Sequence, residues 1–234
     1  MITTKDNKKD QIKEMFEVGA HFGYLKSRRH PSTKPFILGK KNNVEIFDLE
    51  KVSAKLQEVL DFVASVAKEN KQILFVGGKT ESQIIIKEIA EKIEMPYVAG
   101  RWIGGTLTNF DEIRKRVNKF VDLSTKRDKG LLGKYTKKER LLIERQIKKL
   151  DHTFGGIVNM NTKPAAVFII DSDKEKIARD EAIKVGVPVI SLCGSDCDIS
   201  MIKYPIPAND SSVKSITYFT KEIAETYKSN KLSK

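Results

Sequence analysis

The sequence lacks the features that mark secreted, disulfide-linked or membrane-spanning proteins. It has two cysteines in 234 residues, too few for a disulfide framework, and this favours a reducing, cytoplasmic type of compartment. Its wholly apolar runs are only a few residues long, as in Val167–Ile170, whereas a membrane span needs about 20. The polar start, Met1–Gln11, lacks the apolar segment of a secretory signal, so we expect none.

Acidic residues are scarce relative to basic ones. Forty-three Lys and Arg oppose 31 Asp and Glu, which gives a net charge of +12 at pH 7 and an isoelectric point near 9.5. A surplus of this size favours a polyanionic partner, first nucleic acid and second an anionic membrane surface. Only nine of the basic residues are arginines, so point-charge contacts to phosphates are expected more than bidentate reading of bases.

Patterns of buried strands alternate with patterns of amphipathic helices along most of the chain. Short apolar runs, typical of strands buried on both faces, occur at 73–76, 96–98, 166–170, 187–190 and, with prolines that suit an edge, 204–206. Helical spacing of apolar residues predicts helices around 11–20, 52–67, 80–93, 177–185 and 213–227. The alternation predicts an α/β fold with a mostly parallel sheet of four or five strands.

Local signals refine this outline. A hairpin is predicted at 36–47, because its centre carries Gly and Asn residues that tolerate positive φ. Thr80 and Gln83 have the spacing of a capping box at the start of a helix. The lysine-rich ends, residues 1–10 and 228–234, are expected to fray.

The segment 108–156 interrupts the alternation with a different period. Its seam residues recur at steps of three and four, as in two helices packed as a coiled coil. They are Phe110, Ile113, Val117, Phe120 and Ser124, then Ile143, Ile147, Leu150 and Phe154. A Thr136–Glu139 capping box starts the second helix, and Gly155–Gly156 are expected to close it and free the chain. We therefore predict a discontinuous α/β domain, 1–107 and 157–234, with a coiled-coil hairpin inserted at 108–156.

Most of the excess positive charge falls in this predicted hairpin. From Asp111 to Lys149 there are fourteen Lys and Arg against six Asp and Glu, a net +8. Because the seam buries only its own residues, these charges face either water, as a solubilising surface, or a partner. A second cluster at 26–41 has six basic residues and no acid, and its His30, Pro31 and Pro35 are expected to keep it extended. Together the clusters predict contacts to the phosphates and 2′-hydroxyls of folded RNA.

A third candidate segment, Arg101–Asn109, joins the sheet to the hairpin. It holds the only tryptophan, and Arg beside Trp suits stacking on an exposed base. The alternative is that Trp102 packs the hinge while Gly104 and Gly105 turn the chain. Lys79, after a predicted strand, is a further candidate. The predicted RNA-binding residues are Lys26, Arg28, Arg29, His30, Lys34, Lys79, Arg101, Trp102, Arg114, Arg116, Lys137, Lys138, Arg140 and Arg145.

Two patterns suggest nucleotide chemistry and are weighed against simpler readings. Gly77–Thr80 lies between a strand and a helix like a phosphate loop, but it lacks the glycine spacing of a Walker A motif. A tight strand-to-helix turn is the favoured interpretation. Asp171–Asp173 follows a strand, where carboxylates often hold Mg²⁺, but helix capping by Ser172 or Asp173 is simpler.

The two cysteines offer little for a metal site. Cys193 and Cys197 are separated by three residues, and the three histidines are scattered, so free thiols are favoured over zinc ligands. We assign no catalytic residue, no metal and no cofactor. A nucleotide- or phosphate-dependent enzyme with this α/β fold stays the alternative function.

Eight short motifs occur in a specific order and spacing along the chain. They are Gly19–Gly23, Lys34–Gly39, Asp48–Lys51, Arg101–Asn109, Lys137–Glu139, Gly155–Ile157, Pro164–Asp171 and Ile206–Asp210. Together they resemble the bacterial form of the small-subunit ribosomal protein two family. The resemblance extends from about Phe16 to Tyr227 and is most specific at Arg101–Asn109.

This resemblance implies a three-layer, flavodoxin-like α/β domain with an inserted coiled-coil hairpin. It implies a structural constituent of the small ribosomal subunit, not an enzyme, that binds ribosomal RNA at the head–body junction and supports subunit assembly and translation. The expected partners are small-subunit ribosomal RNA and neighbouring ribosomal proteins, including the large multi-OB ribosomal protein one, and no membrane. The expected location is cytoplasmic and ribosome-associated. The family has no catalytic residues to carry over, so the candidate site rests on charge.

Overall fold

A computed structural model describes residues 4–231, which contain seven α-helices and eight β-strands. The helices are α1 Thr4–Glu17, α2 Leu49–Lys68, α3 Thr80–Lys92, α4 Phe110–Asp128, α5 Lys137–Phe154, α6 Lys176–Val185 and α7 Val213–Asn230. The strands are β1 Phe22–Leu25, β2 Ile37–Lys41, β3 Val44–Phe47, β4 Ile73–Val76, β5 Tyr97–Val98, β6 Ala166–Ile170, β7 Val189–Cys193 and β8 Tyr204–Pro207. Among these described helices, none combines the length and the apolar character needed to cross a membrane.

The main sheet is parallel and has the strand order β5-β4-β6-β7-β8. All of the strands predicted from apolar runs are present in it. The strand β8 lies at the edge, as predicted, where Pro205 and Pro207 need not donate to a further strand.

Successive side chains of a strand point to opposite sides of the sheet, and in this sheet the side chains on both faces are covered by helices. Ile73 and Phe75 of β4 enter one core, which is completed by α2, α3 and α7. Leu74 and Val76 enter a second core, which is completed by α6 and by the inner ends of α4 and α5. This confirms the predicted α/β fold with three flavodoxin-like layers.

The helices α4 and α5 pack against each other through the predicted seam. Ile113, Val117, Ile147 and Phe154 of that seam are buried, and most described side chains between 125 and 142 are exposed. The inner end of the seam also belongs to the core beneath the sheet. The division of the chain into an α/β domain and a separate inserted hairpin stays a prediction.

A small antiparallel sheet, β1-β3-β2, precedes the main one. Its β2–β3 hairpin confirms the predicted one. The turn is made by Asn42 and Asn43, with φ of 50° and 63°, the left-handed conformation that two-residue hairpin turns need and that Asn tolerates.

The predicted extended shape of residues 26–41 is wrong over its first part. Lys26–Arg28 and Pro31–Phe36 are 3-10 turns. Proline at the first position of such a turn lacks only an N–H that would have no partner there, so it fits the turn instead of preventing it. The frayed ends are also wrong where described, since α1 begins at Thr4 and α7 continues to Asn230. Residues 1–3 and 232–234 lie outside the described residues.

The predicted signals at helix ends are partly confirmed and partly corrected. Thr80 makes no capping bond, because α3 already begins at Thr80 and Lys79 takes the cap position. The Thr136–Glu139 capping box is confirmed, with the Thr136 N–H donating to the Glu139 carboxylate at 2.8 Å. Gly156 is not needed to make the chain flexible after α5. A Cβ at Gly156 would lie 2.7 Å from the Tyr97 ring and closer still to the Tyr97 carbonyl oxygen. Glycine is needed for this close approach.

Candidate nucleic-acid interface

The outer surface of α4 and α5, here called the basic helix pair, presents five of the predicted RNA-binding side chains to solvent. They are Arg116, Lys137, Lys138, Arg140 and Arg145. Within the described residues 4–231, none of these five forms an ion pair with an acidic side chain. Three acids of the pair are engaged with other basic residues: Glu112 with Lys115, Asp122 with Lys126 and Asp128 with Arg127. The helix pair therefore carries positive charge that is free to meet phosphates.

Arg114 has a different role from its neighbours on α4. Its guanidinium donates to the carbonyl oxygens of Val158 and Met160, at 3.0 and 3.1 Å, and to Asn161 Oδ1 at 2.9 Å. These bonds fasten α4 to the chain that enters β6. We therefore interpret Arg114 as a structural residue and remove it from the candidate RNA surface.

Residues 26–41, here called the basic strip, lie beside the carboxyl edge of the main sheet. Lys26 and Lys34 are exposed. Arg28 is 59% exposed, stacks over the Tyr24 ring at 4.4 Å and pairs with Asp196 at 2.8 Å. These three side chains point outward from a surface that is already ordered.

Two other members of the strip are mostly engaged with the protein. Arg29 is 24% exposed and pairs at 2.9 Å with Glu45, whose side chain is buried. His30 Nδ1 accepts from the Ser32 N–H at 3.3 Å and lies 3.7 Å from the Asp198 carboxylate. Arg29 therefore neutralises a buried acid, and His30 caps the second 3-10 turn.

Lys79 is not part of any outer surface, which corrects its assignment as an RNA contact. Its side chain is 4% exposed, and its Nζ lies 2.7 Å from both Asp171 Oδ2 and Asp210 Oδ2. Tyr24 and Ser211 complete the cluster, with the Tyr24 hydroxyl 3.2 Å from Asp210. An ammonium between two buried carboxylates cannot also reach a phosphate without leaving them uncompensated.

The three charges of this cluster shift one another's titration. Burial alone would lower the pKa of Lys79, but attraction to Asp210 and hydrogen bonding to Asp171 raise it above its ordinary value. Burial would raise the pKa of Asp171, but the Lys79 ammonium holds it below its ordinary value. Burial does raise the pKa of Asp210, more than Lys79 lowers it, because Asp171 adds a like charge. The cluster therefore carries one ammonium against two carboxylates of unequal acidity.

The phosphate-loop alternative for Gly77–Thr80 fails on this geometry. The Glu175 carboxylate accepts from the Gly78 N–H, so an acid of the protein already occupies the mouth of the turn. Gly77 is needed for packing, because a Cβ there would lie 2.7 Å from Ser82 Oγ. The favoured interpretation of a tight strand-to-helix turn is confirmed.

The second acidic pattern also has a structural explanation. Asp171 Oδ1 accepts from the N–H groups of Asp173 and Lys174, each at 3.1 Å, so Asp171 itself caps this turn and not Ser172 or Asp173. Asp171, Cys197 and Asp210 lie close enough to share a cation, but the Lys79 ammonium already lies between the two carboxylates. Cys193 and Cys197 are buried free thiols, as predicted.

Trp102 is also inside the protein, which corrects its assignment as a stacking platform. Its side chain is 5% exposed and belongs to the second core, and its Nε1–H donates to Glu181 at 3.3 Å. The alternative, that Trp102 packs the hinge, is confirmed. Arg101 is exposed and borders a polar cleft of about 340 Å³ together with Lys87 and His152.

Glu181 organises the whole 102–108 turn from α6. Its carboxylate accepts from the backbone N–H groups of Gly105, Leu107 and Thr108 at 2.6, 3.1 and 3.3 Å. Burial alone would raise the pKa of Glu181, but these N–H donors hold it below its ordinary value. The most specific motif of the sequence is therefore held in shape by one buried carboxylate.

Replacing Glu181 by glutamine is expected to destabilise the protein by about 1–3 kcal/mol, because a charged acceptor of several hydrogen bonds is lost. Trp102 is the only tryptophan, so its fluorescence reports on this turn. Because the pKa of Glu181 is depressed in the native protein, its ionised carboxylate stabilises the fold at pH values above its ordinary pKa of 4.5. This stabilisation is lost as the pH falls below that value. Tryptophan emission should therefore change below about pH 4.5 in the native protein, and should already be altered at pH 7 in the variant. The exposed Glu225→Gln is the control; emission and stability equal to that control would contradict this role.

Three residues important for these surfaces were missed by the sequence analysis. Glu181 and Ser195 carry no local signal, since their partners lie more than 70 and 160 residues away in the chain. Asp210 is the last residue of the Ile206–Asp210 motif, and that motif was the sequence signal that could have identified it.

Comparison with known proteins adds an independent line of evidence. Residues 15–229 match the family model described as ribosomal protein S2. The small ribosomal subunit protein uS2 of Coprothermobacter proteolyticus is 41% identical over 214 residues, which cover 92% of this chain and 80% of that protein. The protein of the same name from Chlorobaculum tepidum is 41% identical over 218 residues, covering 93% and 88%. That of Nitratiruptor sp. is 42% identical over 214 residues, covering 92% and 80%. Because the family model and these relatives each match nearly the whole chain, the chain belongs to the ribosomal protein S2 family.

Proposed function

We propose that this protein is a structural constituent of the small ribosomal subunit, which binds ribosomal RNA through the basic helix pair and the basic strip. Its relatives are small ribosomal subunit proteins, and its family is one of structural components rather than enzymes. The observation that carries the RNA contact is the set of exposed, unpaired basic side chains on α4 and α5 within the described residues.

The chemistry of both surfaces suits a sugar–phosphate backbone. Lysine and arginine on the outside of two helices follow a line of phosphates without reading bases. Lys26, Arg28 and Lys34 add a second patch near the carboxyl edge of the sheet. The α/β layers are the scaffold that holds the two patches. The RNA-binding residues that we retain are Lys26, Arg28, Lys34, Arg101, Arg116, Lys137, Lys138, Arg140 and Arg145.

The finer position within the subunit is part of the same proposal. The protein lies at the head–body junction of the small subunit, contacts neighbouring ribosomal proteins and helps to dock the large multi-OB ribosomal protein one. Family membership supports this position, and the two separated basic patches are consistent with a protein that bridges RNA segments. It supports subunit assembly and translation without chemistry of its own.

Sedimentation of the full-length protein tests the proposal. Tagged protein, produced in a bacterial host, should migrate with small subunits in a low-salt sucrose gradient. It should move to the free fractions at about 1 M salt, where charge interactions are screened beyond about 3 Å. Protein that stays in the free fractions at every salt concentration would contradict the proposal.

A further inference from the structure

A single loop, residues 194–199 after β7, holds the first part of the basic strip through Ser195. The Ser195 side chain is completely buried, and its Oγ accepts from the Tyr24 N–H at 2.8 Å. Its carbonyl oxygen accepts from the His30 N–H and from Thr33 Oγ1, both at 2.9 Å. One residue therefore ties down the chain just before the strip and again at its second 3-10 turn.

Two glycines show how closely the loop approaches β1, the strand that leads into the strip. A Cβ on Gly194 would lie 2.6 Å from the Tyr24 ring and 2.8 Å from the Asp210 carboxylate. A Cβ on Gly23 would lie 3.1 Å from Ser195 Oγ. A side chain at Gly194 would clash with the Tyr24 ring and Asp210, and one at Gly23 would crowd Ser195, so the loop packs tightly against the chain here.

Further bonds reach the strip from residues of the same loop that follow Ser195. The Ile199 N–H donates to Ser32 Oγ at 3.1 Å, and Asp196 pairs with Arg28 at 2.8 Å. The exposed charges of Lys26 and Lys34 thus lie on a segment that is held in place by bonds to this loop. None of these loop contacts uses the charged groups of the two lysines.

We propose that Ser195 is a positioning residue for RNA binding, which keeps residues 24–33 in the shape that presents Lys26, Arg28 and Lys34 to the RNA. This inference rests on the proposed function. A segment already fixed in its bound shape loses little conformational entropy when the partner binds, whereas a loose segment must be ordered by the partner. Ser195 acts through the strip and does not itself touch RNA.

The test uses the full-length double variant Ser195→Ala/Thr33→Val, which removes three side-chain hydrogen bonds but no charge. Its matched control is Ser191→Ala/Thr220→Val, which deletes the same atoms at two fully buried sites away from the strip. Affinity is measured on purified small-subunit ribosomal RNA. We expect the test variant to bind about tenfold more weakly than the native protein, as for the loss of one to two net hydrogen bonds, and the control to bind within about twofold.

A second background separates positioning from a general loss of stability. Both variants are also made in protein that carries Lys26→Ala, Arg28→Ala and Lys34→Ala. There the Ser195 and Thr33 substitutions should change the affinity less than about twofold, because the charges that they position are gone. An equal loss in both backgrounds, or no loss in either, would overturn the inference.

Two further results keep this test distinct from that of the proposed function. If the three charge substitutions alone leave the RNA affinity unchanged, the strip is not an RNA surface, and both the strip contact and the positioning role fall. If they weaken binding while the Ser195 variant does not, only the positioning role falls. Should the double variant fold poorly, Ser195→Ala alone removes just the bond to Tyr24, and an affinity loss of about threefold is expected.

Discussion

Replacing Lys79 by methionine is expected to destabilise the fold by about 3–5 kcal/mol at pH 7, because two buried carboxylates lose their only counter-ion within the cluster. Methionine keeps the length and apolar stem of the side chain, so the expected effect is one of charge. Asp171 and Asp210 are both less than 10% exposed and would face each other without compensation. The measurement is urea unfolding, compared with the exposed Lys87→Met on α3, the helix that Lys79 precedes, which should cost no more than about 0.5 kcal/mol.

The pH dependence of the Lys79→Met effect has a definite sign. In the native protein Lys79 holds the pKa of Asp171 low, and this contributes stability at pH values above the ordinary pKa of 3.8. That stability is lost as the pH falls. In the variant both carboxyl groups lack a cation, so their folded pKa values are raised and protonation relieves the repulsion. The stability difference between the two proteins should therefore be largest at neutral pH and shrink as pH falls toward 3.8.

A rescue variant makes the Lys79 prediction specific. Adding Asp171→Asn and Asp210→Asn to Lys79→Met removes all of the cluster's charges together, and part of the lost stability should return. A single Lys79→Met variant as stable as Lys87→Met, or a triple variant less stable than the single one, would contradict a buried charge cluster.

The layered fold could be predicted because its signals are local. The run Ala166–Ile170 is apolar at every position, the pattern typical of a short strand covered on both faces. The same holds for Ile73–Val76. The Thr136 capping box is also set by residues a few positions apart, and it was confirmed.

Exposure of individual charged residues could not be predicted, because it is decided by distant partners. Lys79 and Lys26 look alike in sequence, but Asp210, 131 residues away, draws Lys79 inside. Trp102 is buried because Glu181, 79 residues away, accepts its N–H. The second 3-10 turn of the basic strip is likewise bonded to the distant Ser195, so the proline pattern alone suggested an extended chain.

Neutralising the basic helix pair is expected to weaken RNA binding by an order of magnitude or more. The substitutions Lys137→Ala, Lys138→Ala, Arg140→Ala and Arg145→Ala remove four exposed charges whose loss should leave the seam intact. Each phosphate neutralised by a protein charge adds about 0.7–0.9 to the slope of log affinity against log salt. If all four contact phosphates, the slope should therefore fall by about 3 to 4.

A matched control separates a local contact from a general effect of net charge. The substitutions are made at four exposed lysines on the opposite layer of the fold. They are Lys68, Lys92, Lys221 and Lys228. This variant has lost as much charge as the helix-pair variant, so long-range attraction is reduced equally in both. Only the helix-pair variant should lose direct phosphate contacts.

The salt dependence of binding to small-subunit ribosomal RNA, measured on these two variants and the native protein, tests the central claim most directly. We predict that the control retains the native slope within about 1, while the helix-pair variant shows a slope shallower by about 3 to 4. Equal slopes in all three proteins would contradict the claim that the outer surface of α4 and α5 binds the RNA backbone.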